Sequence, residues 1–233
     1  MLPWLGRSLT FPAPESALEE PNGLLAAGGD LSPQRLLAAY QQGIFPWFSP
    51  GEPILWWSPA PRMVLFPRQL RVSRSLDKTL RNSRYEIRVD SAFRQVMEAC
   101  SAPRAAQAGT WIVPEMIDAY CQLHRLGHAH SCETWIDGRL QGGLYGIAIG
   151  SMFYGESMFS RARDASKLAL VHWARHLGAH GFEMIDCQMY TPHLASLGAT
   201  LVPRAEFLAT LKQQLLIPTP PHLWNYQYRN EPS

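Results

Sequence analysis

The spacing of apolar positions along this 233-residue chain changes several times, and each change predicts an element. "SPQRLLAAYQQG" sets Leu36, Leu37 and Tyr40 on one face, with Ser32 at the N-cap, Pro33 at the first helical position and Gly43 just past the end. That grammar predicts a short helix. "YEIRV" (85–89) alternates apolar and polar residues and predicts a strand. Residues 91–102 and 114–127 return to helical spacing, the second opened by Pro114 and closed by Gly127. Three strands follow over 130–157, turned at Asp137-Gly138 and Gly150-Ser151. A helix is predicted over 165–181, a short and mostly buried strand over 182–188, and a helix near 204–216 before a Pro-rich tail. Strands in hairpin succession, mixed with helices, predict an α+β fold on a mostly antiparallel sheet.

One stretch follows no period. "GIFPWFSPGEPILWWSP" (43–59) carries Phe45, Trp47, Phe48, Trp56 and Trp57, and prolines at 46, 50, 53 and 59 deny it a helix. With the turns and helix before it, it forms a small N-terminal domain over 1–62. The remaining 63–233 form a second domain. No internal repeat or low-complexity tract interrupts either.

Composition narrows the class. A hydrophobic share of 46% supports an ordinary core. No apolar run reaches the roughly 18 residues of a membrane span, and the N-terminus lacks the basic start and apolar stretch of a signal peptide. Cys100, Cys121, Cys132 and Cys187 form no CxxC pair, which fits a reducing cytoplasm. Charge is uneven. Arg62, Arg68, Arg71, Arg74, Lys78, Arg81, Arg84 and Arg88 stand against only Asp77 and Glu86, a local +6 in a chain whose net charge is +2. Such a field suits a phosphate backbone, and equally a solvated face or another acidic partner.

Three clusters could carry chemistry. "HRLGHAHSC" brings His124, His128, His130 and Cys132 close in sequence, but without HExxH or a second ligand pair at zinc-finger spacing no metal is expected. "IDCQ" places Asp186 and Gln188 on one side of a strand and Cys187 on the other. A carboxylate and a carboxamide on an apolar strand need partners when buried. A Cys187 nucleophile with His193 would require the opposite facing. "FYGESMFSR" sets Glu156 at the end of an apolar strand, the lip of a greasy pocket or a turn carboxylate; it is not the GxSxG elbow of serine hydrolases.

"PNGLLAAGGDLSPQRLLAAYQQGIFPWFSPGEPILWWSPAPR", "GTWI", "LGHAHSCETW", "GGLYG", "GESMFSR", "ASKLAL", "IDCQ" and "ASLGA" together resemble the bacterial leucyl/phenylalanyl-tRNA–protein transferases, in order from about Phe11 to past Leu215. The resemblance implies a small N-terminal domain followed by a domain like the GCN5-related N-acetyltransferases. It implies transfer of Leu or Phe, and also Met, from aminoacyl-tRNA to proteins that begin with Arg or Lys, which marks them for degradation. Acetyltransferases of that fold cradle coenzyme A with a Gly-containing loop; the comparable "SRARDASK" has no glycine, so no cofactor is expected. No GxxxxGK[ST] loop is present either, and an ester donor needs no ATP.

By the same resemblance, Trp47 and Trp111 would stack on the terminal adenine of the tRNA. Leu144, Phe153, Met158, Leu170, Trp173 and Ile185 would form the socket for the donor side chain. Asp186 would polarise or orient Gln188, whose carbonyl would receive the acceptor amine, and Glu156 would attract the acceptor's basic N-terminus. Arg74, Lys78 and Arg81 would hold acceptor-stem phosphates, within a basic window that begins at Arg62. Thr191 stands where a polar residue, usually Asn, contacts the acceptor. A cytoplasmic monomer with no membrane contact is the expectation. A same-fold transferase with another acceptor, such as a peptidoglycan precursor, and a non-catalytic RNA-binding module remain alternatives.

Overall fold

The computed structural model describes residues 1–102 and 112–232. The N-terminal part holds β1 (Trp4–Leu5), β2 (Leu24–Gly28), α1 (Pro33–Tyr40), β3 (Phe45–Pro46) and β4 (Leu55–Trp57). The chain continues through β5 (Arg62–Leu65), α2 (Arg74–Asn82), β6 (Tyr85–Val89), α3 (Phe93–Ser101) and α4 (Pro114–Arg125). Then come β7 (Ala129–Ile136), β8 (Arg139–Ile149), β9 (Met152–Ser160), α5 (Ala165–Ala179) and β10 (Ile185–Gln188). It ends with α6 (Pro192–Ser196), β11 (Thr200–Val202), α7 (Arg204–Gln214) and β12 (Gln227–Asn230).

Local chemistry explains most of these elements. In α1 the Ser32 hydroxyl accepts from the Arg35 backbone N–H, and Pro33 occupies the first turn. Gly43 follows with φ of 70°, and a Cβ there would meet the Phe207 ring at 2.7 Å, so the left-handed turn and the close approach both require glycine. β6 alternates buried and half-buried residues as its sequence does. The turns between β7, β8 and β9 fall at Asp137-Gly138 and Gly150-Ser151, with φ positive at Asp137, Gly138 and Gly150.

Two sheets result. A four-stranded sheet, β1-β2-β4-β3, lies within the first 57 residues, and an eight-stranded sheet has the order β11-β5-β10-β9-β8-β7-β6-β12. All neighbours in the large sheet pair antiparallel except β9 and β10, which run parallel with α5 as their crossover. This is the expected α+β architecture. One face of the large sheet packs on α5 and α2 through Leu144, Phe153, Leu168, Leu177, Leu76 and Leu80. The other packs on α3, α4, α7 and the small sheet through Tyr145, Tyr154, Val96, Leu123, Phe207 and Trp56. Tyr154 donates to the Tyr40 carbonyl at 2.7 Å and so ties β9 to the end of α1.

The parallel pair positions the site. Its ladder holds only Ile185 opposite Phe153 and Asp186 opposite Tyr154. Beyond it β9 continues to Ser160 beside β8, whereas β10 ends at Gln188. A cavity opens where the two strands part.

Candidate active site

The cavity has a volume of about 550 Å³. Leu144 from β8, Phe153 and Met158 from β9, Leu170 from α5 and Ile185 from β10 give it an apolar wall. These are five of the six socket residues expected from sequence. The sixth, Trp173, is not in the wall: it lies behind Phe153, with ring centroids 5.4 Å apart, and it is buried. Its position one helical turn from Leu170 aims it at Phe153 rather than at the opening, so it supports the wall from behind.

Phe45 and Trp47 face the cavity from the Pro-rich stretch. Trp47 is half-buried and packs edge-on against Trp57 at 5.4 Å, while Trp57 donates its indole N–H to the Trp47 carbonyl at 2.6 Å. Trp56 is fully buried and donates to the Gly28 carbonyl. One indole of the stretch is therefore left on the cavity while Trp56 and Trp57 hold its backbone. Trp111 lies outside the described residues.

Charge in the site is arranged around β10. Asp186 is buried and receives two hydrogen bonds from Arg62, at 2.8 Å from Nε and 2.7 Å from Nη2. The Arg62 guanidinium lies between the rings of Phe45 and Phe207, 4.8 and 4.7 Å from their centroids. Asp186 also accepts from the Gln188 backbone N–H at 2.8 Å. The Gln188 side chain donates through Nε2 to Glu156 at 2.8 Å. Tyr120 donates to the other Glu156 oxygen at 3.4 Å, and its hydroxyl is hydrogen-bonded to that of Tyr40. Burial pushes the Glu156 carboxyl up to about 8, against weaker downward pulls from Tyr40 and Gln188.

Three expectations need correction. Strict alternation does not hold along "IDCQ": the register shifts between Asp186 and Gln188, and Gln188 has φ of 62°. Ile185, Cys187 and Gln188 line the cavity, and Asp186 turns away toward Arg62. Asp186 meets Gln188 at its backbone N–H, a contact that fits orienting Gln188 and not polarising its carboxamide. Second, Arg62 does not belong to a phosphate-binding field, because it is buried and spent on Asp186. Third, Glu156 is in the site, but buried and hydrogen-bonded to Gln188 and Tyr120 rather than free at the lip of the pocket.

The remaining candidates divide. Arg74, Lys78 and Arg81 are exposed along α2, with Arg81 paired to Asp77 at 2.7 Å. Thr79 of the same helix reaches Asp164, which binds Lys167 at 2.9 Å, and burial, with the Lys167 charge, lowers the pKa of His193 in the cavity lining. Thr191 lines the cavity and caps α6 through the Leu194 N–H at 3.2 Å. Cys187 and His193 both line the cavity, yet burial pushes the Cys187 thiol far above its ordinary range, the opposite of an activated nucleophile. His124 and His130 meet Asp90. His130 uses both ring nitrogens, on Asp90 at 2.7 Å and the Gly127 carbonyl at 3.2 Å, and His124 binds the Ala129 carbonyl, so both rings serve the fold.

Sequence reasoning missed Arg62, Tyr40, Tyr120 and Cys100 as parts of the site. Tyr40 reads as an ordinary apolar-face residue of α1, and nothing local distinguishes Tyr120 on α4. They reach Glu156 only because α1 and α4 pack together on one face of the sheet.

Comparison with known proteins gives the family. The family described as leucyl/phenylalanyl-tRNA protein transferase matches residues 64–212, and its N-terminal domain matches residues 29–60. A leucyl/phenylalanyl-tRNA--protein transferase of Chromobacterium violaceum is 69% identical over 233 residues, all of both chains. One of Laribacter hongkongensis is 56% identical over 233 residues, again all of both, and one of Nitrosomonas europaea is 64% identical over 94% of this chain and 92% of its own. Similar solved structures include a GCN5-related N-acetyltransferase from Kribbella flavida, with TM-score 0.38 and 12% identity over 74% of this chain and 61% of that one. Another is L-PGS from Bacillus licheniformis, with TM-score 0.36 and 9% identity over 71% of this chain and 55% of that one. Neither structural likeness is close enough to argue from. Nearly full-length identity to the named transferases is another matter: this chain belongs to the leucyl/phenylalanyl-tRNA protein transferase family.

Proposed function

We propose that the cavity between β9 and β10 is where an aminoacyl-tRNA gives up its amino acid to the α-amine of an acceptor protein. The observation that carries this reading is the continuity of three surfaces in one cavity: the Trp47 indole, the apolar wall and the Gln188 carboxamide. The terminal adenine stacks on Trp47, which is worth about 1–3 kcal/mol. The donor side chain enters the wall of Leu144, Phe153, Met158, Leu170 and Ile185. Adaptable Met and Leu walls accept Leu, Phe and Met alike, since a methylene separates such side chains by only about 1–3 kcal/mol.

The donor ester is activated already, so the site chiefly places two reactants. The Nε2 end of Gln188 is committed to Glu156, which leaves the carbonyl end for the acceptor amine. Asp186, fixed by Arg62, holds the turn that brings Gln188 back to the cavity. As the N–C bond forms and the ester C–O bond breaks, the proton lost by the amine ends on the departing ribose oxygen. The acceptor stem runs along α2, with Arg74 and Lys78 on phosphates and Arg81 contributing less because Asp77 already holds it. The acceptors are proteins that begin with Arg or Lys, the protein works as a monomer in the cytoplasm, and Thr191 touches the acceptor near its N-terminus.

The test is transfer of labelled leucine from Leu-tRNA by the purified protein to a peptide that begins with Arg, beside the same peptide begun with Ala. A product on the Arg peptide alone supports the reading. Equal products, or none on either peptide, contradict it.

A further inference from the structure

Glu156 sits in an unusual place for a carboxyl group. It is 8% exposed on β9, and among the described residues no Lys, Arg or His lies in ion-pair contact with it. The one buried guanidinium nearby, Arg62, is already neutralised by Asp186 through two hydrogen bonds. Phenols approach from three elements: Tyr40 from α1, Tyr120 from α4 and Tyr145 from β8. The Tyr145 hydroxyl is buried with no hydrogen-bond partner among the described residues, and its ring stands edge-on to that of Tyr120 at 5.9 Å. From α3, Cys100 lines the same cavity; from β10 come Gln188, Cys187 and the Asp186 charge.

We propose that Glu156 serves the transfer as a neutral carboxylic acid, with its proton on the oxygen that faces Tyr120 and Tyr40, so that Gln188 meets the acceptor amine beside an uncharged neighbour. The proposal rests on the reading that the amine docks at Gln188. A carboxyl group buried without a counter-charge of its own sheds its charge by keeping its proton. Its Oε1 then accepts from Gln188 Nε2 and its Oε2–H turns to a phenol oxygen, so both geometric contacts survive protonation. The upward shift of the carboxyl to about 8, caused first by burial, agrees with this.

The charge state matters to the reaction. An α-amine has a pKa near about 8 and attacks only when neutral. A carboxylate beside it would favour the ammonium and hold the nucleophile in its unreactive form. A neutral acid fixes Gln188 without that penalty. Glu156 keeps its proton throughout; the proton that leaves the amine goes to the ribose oxygen. Tyr40 and Tyr120 are positioning residues, since they touch Glu156 and not the reactants.

Carbon-13 NMR of the full-length protein labelled at glutamate carboxyls tests this, with the Glu156 resonance assigned by its absence in Glu156→Gln or, should that variant not fold, by its displacement in Tyr120→Phe. The expected midpoint lies near 8, the value burial gives it. A midpoint in the ordinary glutamate range, about 4.3, overturns the proposal. A second arm reads initial transfer rates at about pH 9 and about pH 7, with spontaneous donor hydrolysis subtracted. Ionisation of Glu156 suppresses the wild-type rate at the higher pH, so the ratio of the two rates rises about threefold or more in Glu156→Gln. An unchanged ratio in a folded variant overturns the proposal. The NMR midpoint decides the matter whether or not transfer is seen, whereas absence of transfer in the wild type counts against the functional reading.

Discussion

Arg62 and Asp186, 124 positions apart, form a buried two-point ion pair that anchors the parallel β9–β10 seam of the large sheet at the rim of the cavity. Asp186 Oδ1 also accepts from the Gln188 N–H. Removing one partner leaves an uncompensated buried charge. Asp186→Ala is therefore expected to lower stability by about 3–5 kcal/mol, read as a shift of the urea midpoint. An apolar replacement of both, Arg62→Met with Asp186→Leu, recovers most of that loss. Transfer by the double variant still falls about tenfold or more, because the Gln188 turn has lost its anchor.

Trp47 is expected to act through binding. Trp47→Ala removes a stacking platform worth about 1–3 kcal/mol, so KM for the aminoacyl-tRNA rises about 5- to 150-fold while kcat changes less. Trp47→Phe recovers most of the affinity. Steady-state kinetics with varied donor separate the two parameters, and the half-buried position of Trp47 keeps the effect on stability small.

The apolar wall sets the donor range. Met158 is half-buried and flexible. Met158→Ala enlarges the socket and shifts preference toward Phe over Leu by about 10-fold. Competition between Phe-tRNA and Leu-tRNA for a limiting acceptor measures that ratio directly. Trp173→Phe, behind the wall, changes the ratio much less.

The basic face of α2 should show itself in salt dependence. Replacing Arg74 or Lys78 by Ala weakens tRNA binding and reduces the slope of log affinity against log salt by about 1 each. Arg81→Ala has a smaller effect, because Arg81 is held by Asp77. Titrations at several salt concentrations read the slopes.

Acid should loosen the contact of His172 on α5 with Tyr85 and Tyr226. His172 lies between the hydroxyls of Tyr85 and Tyr226, at 3.0 and 2.9 Å, and burial, with the Arg175 charge, lowers its pKa to about 4. The unfolded chain takes up a proton near about 6.5 that the folded form refuses until about 4. Stability from this site is complete above the upper value, falls as pH drops through that window and levels off below it. Between about pH 7 and about pH 5 the loss is about 2 kcal/mol. His176, also lowered by burial, adds with the same sign. Urea unfolding at the two pH values checks the direction, and His172→Phe removes the part due to this residue.

Much of the fold was legible because its signals are local. The cap at Ser32, the alternation of β6 and the turns at Asp137-Gly138 and Gly150-Ser151 each lie within a few residues. β5, β11 and β12 were not legible. They are three or four residues long and exist only through partners far away in sequence, as when β12 pairs with β6. α2 carries its cap at Ser73 and its buried Leu76 and Leu80, but with only two apolar positions among basic residues its helical period is faint. In the site, the apolar wall and Trp47 followed from the resemblance. The Arg62 partner of Asp186 and the phenols around Glu156 did not, since each depends on elements packed across the sheet. The turned backbone at Gln188 breaks the alternation that would set Asp186 and Gln188 on one side.

A crystal structure with phenylalanyl-adenosine linked by a stable amide tests the central claim most directly. The account places adenine on Trp47, the phenyl ring among Leu144, Phe153, Met158, Leu170 and Ile185, and the reacting carbonyl within reach of Gln188. Electron density for the ligand outside this cavity, with the cavity itself free, would contradict it.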